Sequence, residues 1–272
     1  MAEQVIILMD NGSLRAEATL QLRKVAEVLS VRLGKKVHPV SLLHSSKVSE
    51  DQLNGEPAKT FVPFLRERRA EGNDNFVVLP LFFGPSGALV DYLPSRVQAL
   101  QEEGWGALQV DVLETLVQTE DDRVAQIMAR LVREKLAVEG WADASIAMCD
   151  HGTPSKVVNE VREIVAQQMQ RVLADTGVNL KACSMERRAG AEYDFNEPLL
   201  ENLLGKPGFD QKVIISLLFA GPGRHAGKDG DVATICAGAQ KEFPELESSM
   251  TELVGSDIDS LAEILADRFA GK

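Results

Sequence analysis

The stretch Val5-Ile6-Ile7-Leu8-Met9-Asp10-Asn11-Gly12-Ser13 returns later in the chain as Ile146-Ala147-Met148-Cys149-Asp150-His151-Gly152-Thr153. In both places a short apolar run ends in Asp, a polar residue, Gly and a hydroxyl residue. An apolar run of this length bounded by a turn signal reads as a strand buried on both faces, the kind found in parallel sheets. A second pair follows the same logic. Phe76-Val77-Val78-Leu79-Pro80-Leu81-Phe82-Phe83 leads into Gly84-Pro85-Ser86-Gly87-Ala88-Leu89, and Val213-Ile214-Ile215-Ser216-Leu217-Leu218-Phe219 leads into Ala220-Gly221-Pro222-Gly223-Arg224-His225. The chain is a tandem repeat whose copies differ at the strand-to-loop junctions. The second copy has histidine at both, where the first has Asn11 and Leu89. Duplication supplies a scaffold, and the asymmetry points to the second half as the active one.

Outward from these runs, short apolar segments alternate with longer amphipathic ones, the signature of βα units and parallel sheets. Strands are predicted near 4–9, 37–43, 76–83 and 107–113, then near 144–149, 179–184, 212–219 and 247–252. Helices are predicted near 15–33, 57–71, 90–103 and 120–138, then near 155–174, 196–204, 229–242 and 257–270. Gly34 and Gly72-Asn73-Asp74 read as helix stops, and Pro154 sits where a helix begins. The expected class is α/β, with two similar domains, 1–140 and 141–272. Each is a four-stranded parallel sheet flanked by helices with flavodoxin-like strand winding. Ala137-Val138-Glu139-Gly140-Trp141 reads as the link between them.

The composition, 44% hydrophobic and 26% charged over 272 residues, is ordinary for a globular chain. The formal net charge of −12 repels a polyanion at long range, so nucleic acid is not expected as a partner. A small anionic ligand would need a local basic patch. Cys149, Cys183 and Cys236 form no CxxC pair and read as small core residues. No apolar run approaches the ~20 residues that span a bilayer, so no membrane partner is expected. No basic-then-apolar leader opens the chain, and the expected location is the cytoplasm.

Ligands of open parallel α/β sheets bind beyond the carboxyl ends of the strands. In the second half, the first three strands are followed in turn by Asp150-His151-Gly152-Thr153, by Ser184-Met185-Glu186-Arg187-Arg188, and by Gly221-Pro222-Gly223-Arg224-His225. His151, Glu186 and His225 thus share one sheet edge. Two imidazoles and a carboxylate suit a divalent first-row metal such as Co, Fe, Ni or Zn, and they suit proton transfer equally. Gly152 is read as permitting a sharp turn, and Gly221 and Gly223 as permitting unusual φ and close approach to a ligand. Arg187, Arg188, Arg224 and Lys228 lie in the same loops, a receptor for carboxylates or phosphates on an otherwise acidic protein. His44, near the end of the second strand of the first half, falls roughly where Glu186 falls in the second. No GxxxxGK[ST], GxSxG or HExxH motif occurs, and Gly221–Ala226 fails GxGxxG at its last position.

These residues resemble the CbiX/SirB class of small tetrapyrrole chelatases, which insert cobalt or ferrous iron into sirohydrochlorin without ATP. The family pattern has a first strand ending in His-Gly-Ser and a third running through a Leu-Phe-rich segment into Gly-x-His. Asp150-His151-Gly152-Thr153 and Leu218–His225 are similar to both, with Thr153 in place of the usual Ser. Asp10–Ser13 and Pro80–Gly87 extend the resemblance to the first half. In two-domain relatives the working histidines lie in the amino-terminal half, so this chain departs from the pattern. The resemblance implies His151, Glu186 and His225 as catalytic and metal-handling residues. It implies that Co²⁺, Fe²⁺ or Ni²⁺ acts as a substrate and that no cofactor is permanently bound. Sirohydrochlorin carries eight carboxylates, for which Arg187, Arg188, Arg224 and Lys228 are the expected partners. The macrocycle is expected in a cleft between the halves, with the Gly84–Asp91 loop as the opposite wall. The tandem chain fits a monomer that mimics a dimer of single domains. The rival reading is a metal or tetrapyrrole carrier on the same scaffold, with binding but no turnover.

Overall fold

The computed structural model describes residues 4–227 and 229–272. The first repeat runs β1 (Val5–Asp10), α1 (Ala16–Leu33), β2 (Val37–Ser41), α2 (Phe61–Ala70), β3 (Asn75–Pro80), α3 (Leu93–Glu102), β4 (Gln109–Val112) and α4 (Arg123–Glu139). The second runs β5 (Ser145–Asp150), α5 (Lys156–Val172), β6 (Leu180–Ser184), α6 (Leu200–Leu203), β7 (Lys212–Leu217), α7 (Asp231–Glu242), β8 (Glu247–Met250) and α8 (Ile258–Ala270). Two four-stranded sheets result, ordered β2-β1-β3-β4 and β6-β5-β7-β8, and every pairing is parallel. This is the expected α/β class with flavodoxin-like winding. The central strands β1, β3, β5 and β7 are apolar and buried along nearly their whole length, because helices cover both faces. The edge strands β4 and β8 carry polar residues and are partly exposed.

Helix stops behave as the sequence implies. Gly34 takes the left-handed conformation at φ 61°, and its N–H bonds back to the carbonyls of Ser30 and Val31. The expected helix at 196–204 shrinks to the single turn of α6, preceded by a 3₁₀ turn over Ala191–Asn196. Pro198 interrupts the segment, and the Asn196 side chain is drawn into bonds with Thr153.

The expected division at residue 140 is corrected by the packing. The chain separates into one unit of residues 1–116 plus 257–272 and another of residues 117–256. In the second unit, α4 packs on α5 and β7, burying Val124, Ile127, Met128, Leu131 and Val132. In the first, α8 packs on α1 and β3, burying Leu261, Ile264 and Leu265. The last helix of each repeat therefore completes the other repeat's unit. Ala137–Trp141 is no linker: Gly140, at φ 67°, caps α4, and the Trp141 N–H bonds the Leu136 carbonyl.

The core of the first unit gathers Ile7, Met9, Phe61, Phe64, Phe76 and Leu93, among others. That of the second gathers Cys149, Cys183, Leu200, Val213, Leu217 and Cys236. All three cysteines are free and buried. No helix among the described residues is long and apolar enough to cross a membrane.

Asp10 ends β1 beside Ser41 of β2, and one of its carboxylate oxygens is buried without a hydrogen-bond partner among the described residues. Burial raises its pKa from 3.8 to about 6, against the pull of the Ser41 hydroxyl and the Gly12 N–H. The native state therefore keeps a proton that the unfolded chain loses above its ordinary pKa. The stability from this group is full below about 4 and is lost as pH rises to about 6. Asp10→Asn is expected to gain up to about 3 kcal/mol at pH 7.5 and almost nothing at pH 3.5, read from urea unfolding midpoints at the two pH values.

Candidate functional site

In the second unit three strand ends converge. β5 ends in Asp150, and His151 is the first residue beyond it. β6 ends in Ser184, two residues before Glu186. β7 ends at Leu217, His225 lies in the irregular stretch 218–227 beyond it, and α7 starts at Asp231. The two imidazoles meet edge to face, with ring centroids 4.5 Å apart and planes at 78°. Glu186 Oε1 lies 3.6 Å from His151 Nε2. The structure thus brings together the pair read from sequence, with the carboxylate beside one member.

The partners of the two rings fix their tautomers. His151 Nδ1 is 2.9 Å from the Gly152 carbonyl, and His225 Nδ1 is 2.7 Å from Asp231 Oδ2. A carbonyl and a carboxylate oxygen can only accept, so each neutral imidazole carries its proton on Nδ1 and presents a lone pair on Nε2. The 3.6 Å gap to Glu186 is too long for a hydrogen bond, so His151 Nε2 is not engaged by that carboxylate. No group of three or more His, Cys, Asp or Glu side chains lies in metal-holding geometry among the described residues.

The turn that carries His151 is rigidly built. Gly152 has φ 88°, and a Cβ there would fall 1.9 Å from the Glu186 carbonyl oxygen. Only glycine lets the first loop lie against the second. The Met185 N–H bonds the Asp150 carbonyl and the Glu186 N–H bonds the His151 carbonyl, which stitches the two strand ends together. Beneath them runs a buried polar chain. Arg162 of α5, only 3% exposed, donates to Ser184 Oγ at 2.6 Å. Ser184 donates to Asp150 Oδ1 at 2.6 Å, and the same oxygen accepts the Gly152 N–H at 3.1 Å. Burial pushes the Asp150 carboxyl up, while Ser184, Arg162 and Gly152 pull it back.

The first unit repeats the frame without the chemistry. Gly12 also has φ 88°, and a Cβ there would fall 1.7 Å from the Leu43 carbonyl. Strand register aligns Asp10–Ser41 with Asp150–Ser184, so Leu43 matches Glu186 and His44 matches Arg187. His44 is exposed, at φ 63°, and is one position away from the place assigned to it by sequence. The register of β3 and β7 likewise aligns Ala88, not Leu89, with His225. A π-helical turn over Ala88–Tyr92 there runs straight into α3, and Leu89 faces the core.

The expected basic receptor is smaller than its sequence suggests. Arg187 is already bound to Glu197 at 2.8 Å and Asp194 at 3.2 Å, and it donates to the Arg188 and Gly190 carbonyls. It braces its own loop. Arg188 is exposed, and Arg224 is 82% exposed with its Nε 3.8 Å from Asp231. Lys228 lies outside the described residues. Gly221 and Gly223 are not among the glycines with positive φ, and a Cβ on Gly223 would meet nothing within 4 Å. Sequence reading missed Asp231, Arg162, Ser184 and Asn196. Asp231 had a visible signal, an acidic residue opening a helix six positions after a histidine. Ser184 had another, the serine shared with Ser41 at the same strand end.

Two parallel four-stranded sheets wound alike in tandem define the CbiX/SirB-type chelatase fold. SirB from Bacillus subtilis with Fe³⁺ superimposes with a TM-score of 0.70 at 10% identity, over 98% of this chain and 94% of that one. The sirohydrochlorin chelatase SirB from Bacillus subtilis subspecies spizizenii, in complex with cobalt, gives 0.66 at 12%, over 98% and 93%. CbiX, described as the terminal enzyme for siroheme biosynthesis in denitrifying bacteria, gives 0.59 at 14%, over 99% of both chains. No protein-family profile and no curated protein sequence matches the chain.

Ser184→Ala is expected to lower stability by about 1–3 kcal/mol, since it leaves Asp150 and Arg162 each short of a buried partner. Gly152→Ala is expected to be at least as damaging, because the added methyl meets main chain and the φ is left-handed. Denaturant unfolding of both variants checks the order.

Proposed function

We propose that the chain is a metal chelatase that inserts Co²⁺ or Fe²⁺ into sirohydrochlorin or a related tetrapyrrole, without ATP, from a site in its second unit. The observation that carries this reading is the imidazole pair at the carboxyl edge of the second sheet, with both Nε2 lone pairs left open by what their Nδ1 atoms bind. The fold shared with SirB and CbiX supports it. The missing imidazoles at Asn11 and Ala88 leave the first unit without this chemistry.

Metal entry into a tetrapyrrole releases two pyrrole protons, so the reaction needs groups that hold a divalent ion briefly and groups that accept protons. Neutral Nε2 atoms on His151 and His225 serve the first need, being borderline ligands for Co²⁺ and Fe²⁺. Asp231 orients the His225 ring and strengthens its donor atom, as a carboxylate behind a histidine does in metal sites. Glu186, beside His151, takes up a proton as the ion leaves for the macrocycle. Arg188, exposed, and Arg224, 82% exposed and only loosely paired with Asp231 at 3.8 Å, are better placed than Arg187 to meet carboxylates of the substrate. Metal and macrocycle are both substrates here, and no resident cofactor is required.

The test is anaerobic insertion of Co²⁺ or Fe²⁺ into sirohydrochlorin, followed in the visible spectrum. The wild-type chain is expected to accelerate insertion over the spontaneous rate. His151→Ala and His225→Ala are each expected to lose about 10²–10⁴-fold while unfolding at unchanged denaturant concentration. Acceleration that survives both substitutions would place the chemistry elsewhere. A spectral shift that saturates at one macrocycle per chain, with no acceleration, would make the protein a carrier.

A further inference from the structure

A polar cavity lies in the first unit between α1, β2 and α2. It has a volume of about 250 Å³. One wall is apolar, from Leu22, Pro39 and Phe64. Its charged lining is unbalanced: Arg23, Lys36, Lys59 and Arg68 face Glu56 and Glu67, two cations in excess on a chain whose net charge is −12. Lys59 and Arg68 pair with Glu67 at 2.7 and 3.0 Å, Arg68 also pairs with Glu71, outside the lining, at 2.9 Å, and Arg23 sits 3.8 Å from Glu56. Lys36 has no ion-pair partner among the described residues.

Two buried donors line the same cavity unused. Thr19 is 4% exposed, and neither its Oγ1 nor Arg68 Nε has a hydrogen-bond partner among the described residues. Buried polar groups left unsatisfied are uncommon and call for an acceptor. His38, tilted against Phe64 with centroids 5.1 Å apart, reports the local field. Burial, Lys36 and Arg68 lower its pKa to about 4, so at neutral pH the ring adds no charge of its own.

The corresponding cavity of the second unit is a natural control. It has about 290 Å³, but Arg162 and Lys181 there face Glu163 and Glu197. The Arg162 guanidinium is also fully occupied by Ser184, Glu163 and backbone carbonyls. The fold leaves a hollow at this place in both units, and only the first combines excess positive charge with open donors.

We infer that the cavity of the first unit is a binding site for a small organic dianion, a phosphomonoester or dicarboxylate, held by Lys36, Arg68 and the Thr19 hydroxyl with its carbon skeleton on Phe64. Its volume is below the ~300–1,000 Å³ of sites for drug-sized ligands, which excludes a macrocycle and points to a molecule of a few carbons. The unpaired Lys36 ammonium, with the open Arg68 Nε and Thr19 hydroxyl beside it, selects an anion able to take several donors over water or a neutral ligand.

Titration calorimetry of the full chain at low ionic strength, with inorganic phosphate and with succinate as probes, tests the site. One saturable site per chain is expected for at least one probe, and which is tighter assigns the ligand class. Lys36→Glu and the isosteric Thr19→Val are each expected to weaken binding about tenfold or more, and His151→Ala to leave it unchanged. The ring protons of His38 should shift on binding in the wild type. No saturation with either probe well above ~1 mM overturns the inference, as does binding that both cavity variants retain or that His151→Ala removes.

Discussion

Each unit hangs on a carboxylate buried at the end of its central strand. Asp150 cannot be exposed, because it closes β5 inside the sheet, and it cannot be left bare, because a buried charge without partners is expensive. Ser184, the Gly152 N–H and, through Ser184, Arg162 answer it. That answer fixes the turn from which His151 projects, and it holds the neighbouring strand end so that Glu186 lies 3.6 Å from the imidazole. The first unit keeps the carboxylate and its serine but has Leu22 at the helix position of Arg162, and one Asp10 oxygen is left buried without a hydrogen-bond partner among the described residues. The scaffold is shared, while the reinforcement accompanies the histidines.

Asymmetry between the repeats is thus spread over several layers. Where His225 stands on an irregular stretch ahead of α7, the matching Ala88 opens a π-helical turn that runs into α3. Where Glu186 offers a carboxylate, Leu43 offers an aliphatic chain. The first unit has no imidazole or carboxylate at the places of His151, Glu186 and His225, yet it has the same glycine packed against a carbonyl. The same unit carries the cationic cavity between α1 and α2. The imidazole pair and the cationic cavity thus lie on different faces of one repeated fold.

Strands, helices and the repeat were legible because period and turn chemistry act locally: the apolar runs at 5–9, 76–79, 146–149 and 213–217 leave little choice but central strands. His151, Glu186 and His225 were legible because strand order brings their loops to one edge. What escaped depends on distant partners. Arg187 and Arg224 look alike in sequence, and only the 3₁₀ turn at 191–196 makes one a brace and leaves the other in solvent. Arg162 reads as an ordinary helix residue until Ser184 and Asp150 are seen beneath it. The offset of His44 and Ala88 by one position follows from strand register, which motif spacing alone does not resolve. The division at 140 misled for a similar reason, since a glycine that caps a helix and one that opens a linker look the same on paper.

The exchange of the last helices bears on how the chain is made. The second unit is one continuous piece, residues 117–256, and every segment it needs has been synthesised before α8 begins. The first unit must wait for α8, so its α1 face stays uncovered while the whole of the second unit emerges. The usual order of biogenesis, in which upstream domains finish first, is reversed. The half that carries the histidines is the first able to close on the ribosome, and the half translated earliest is the last to be sealed.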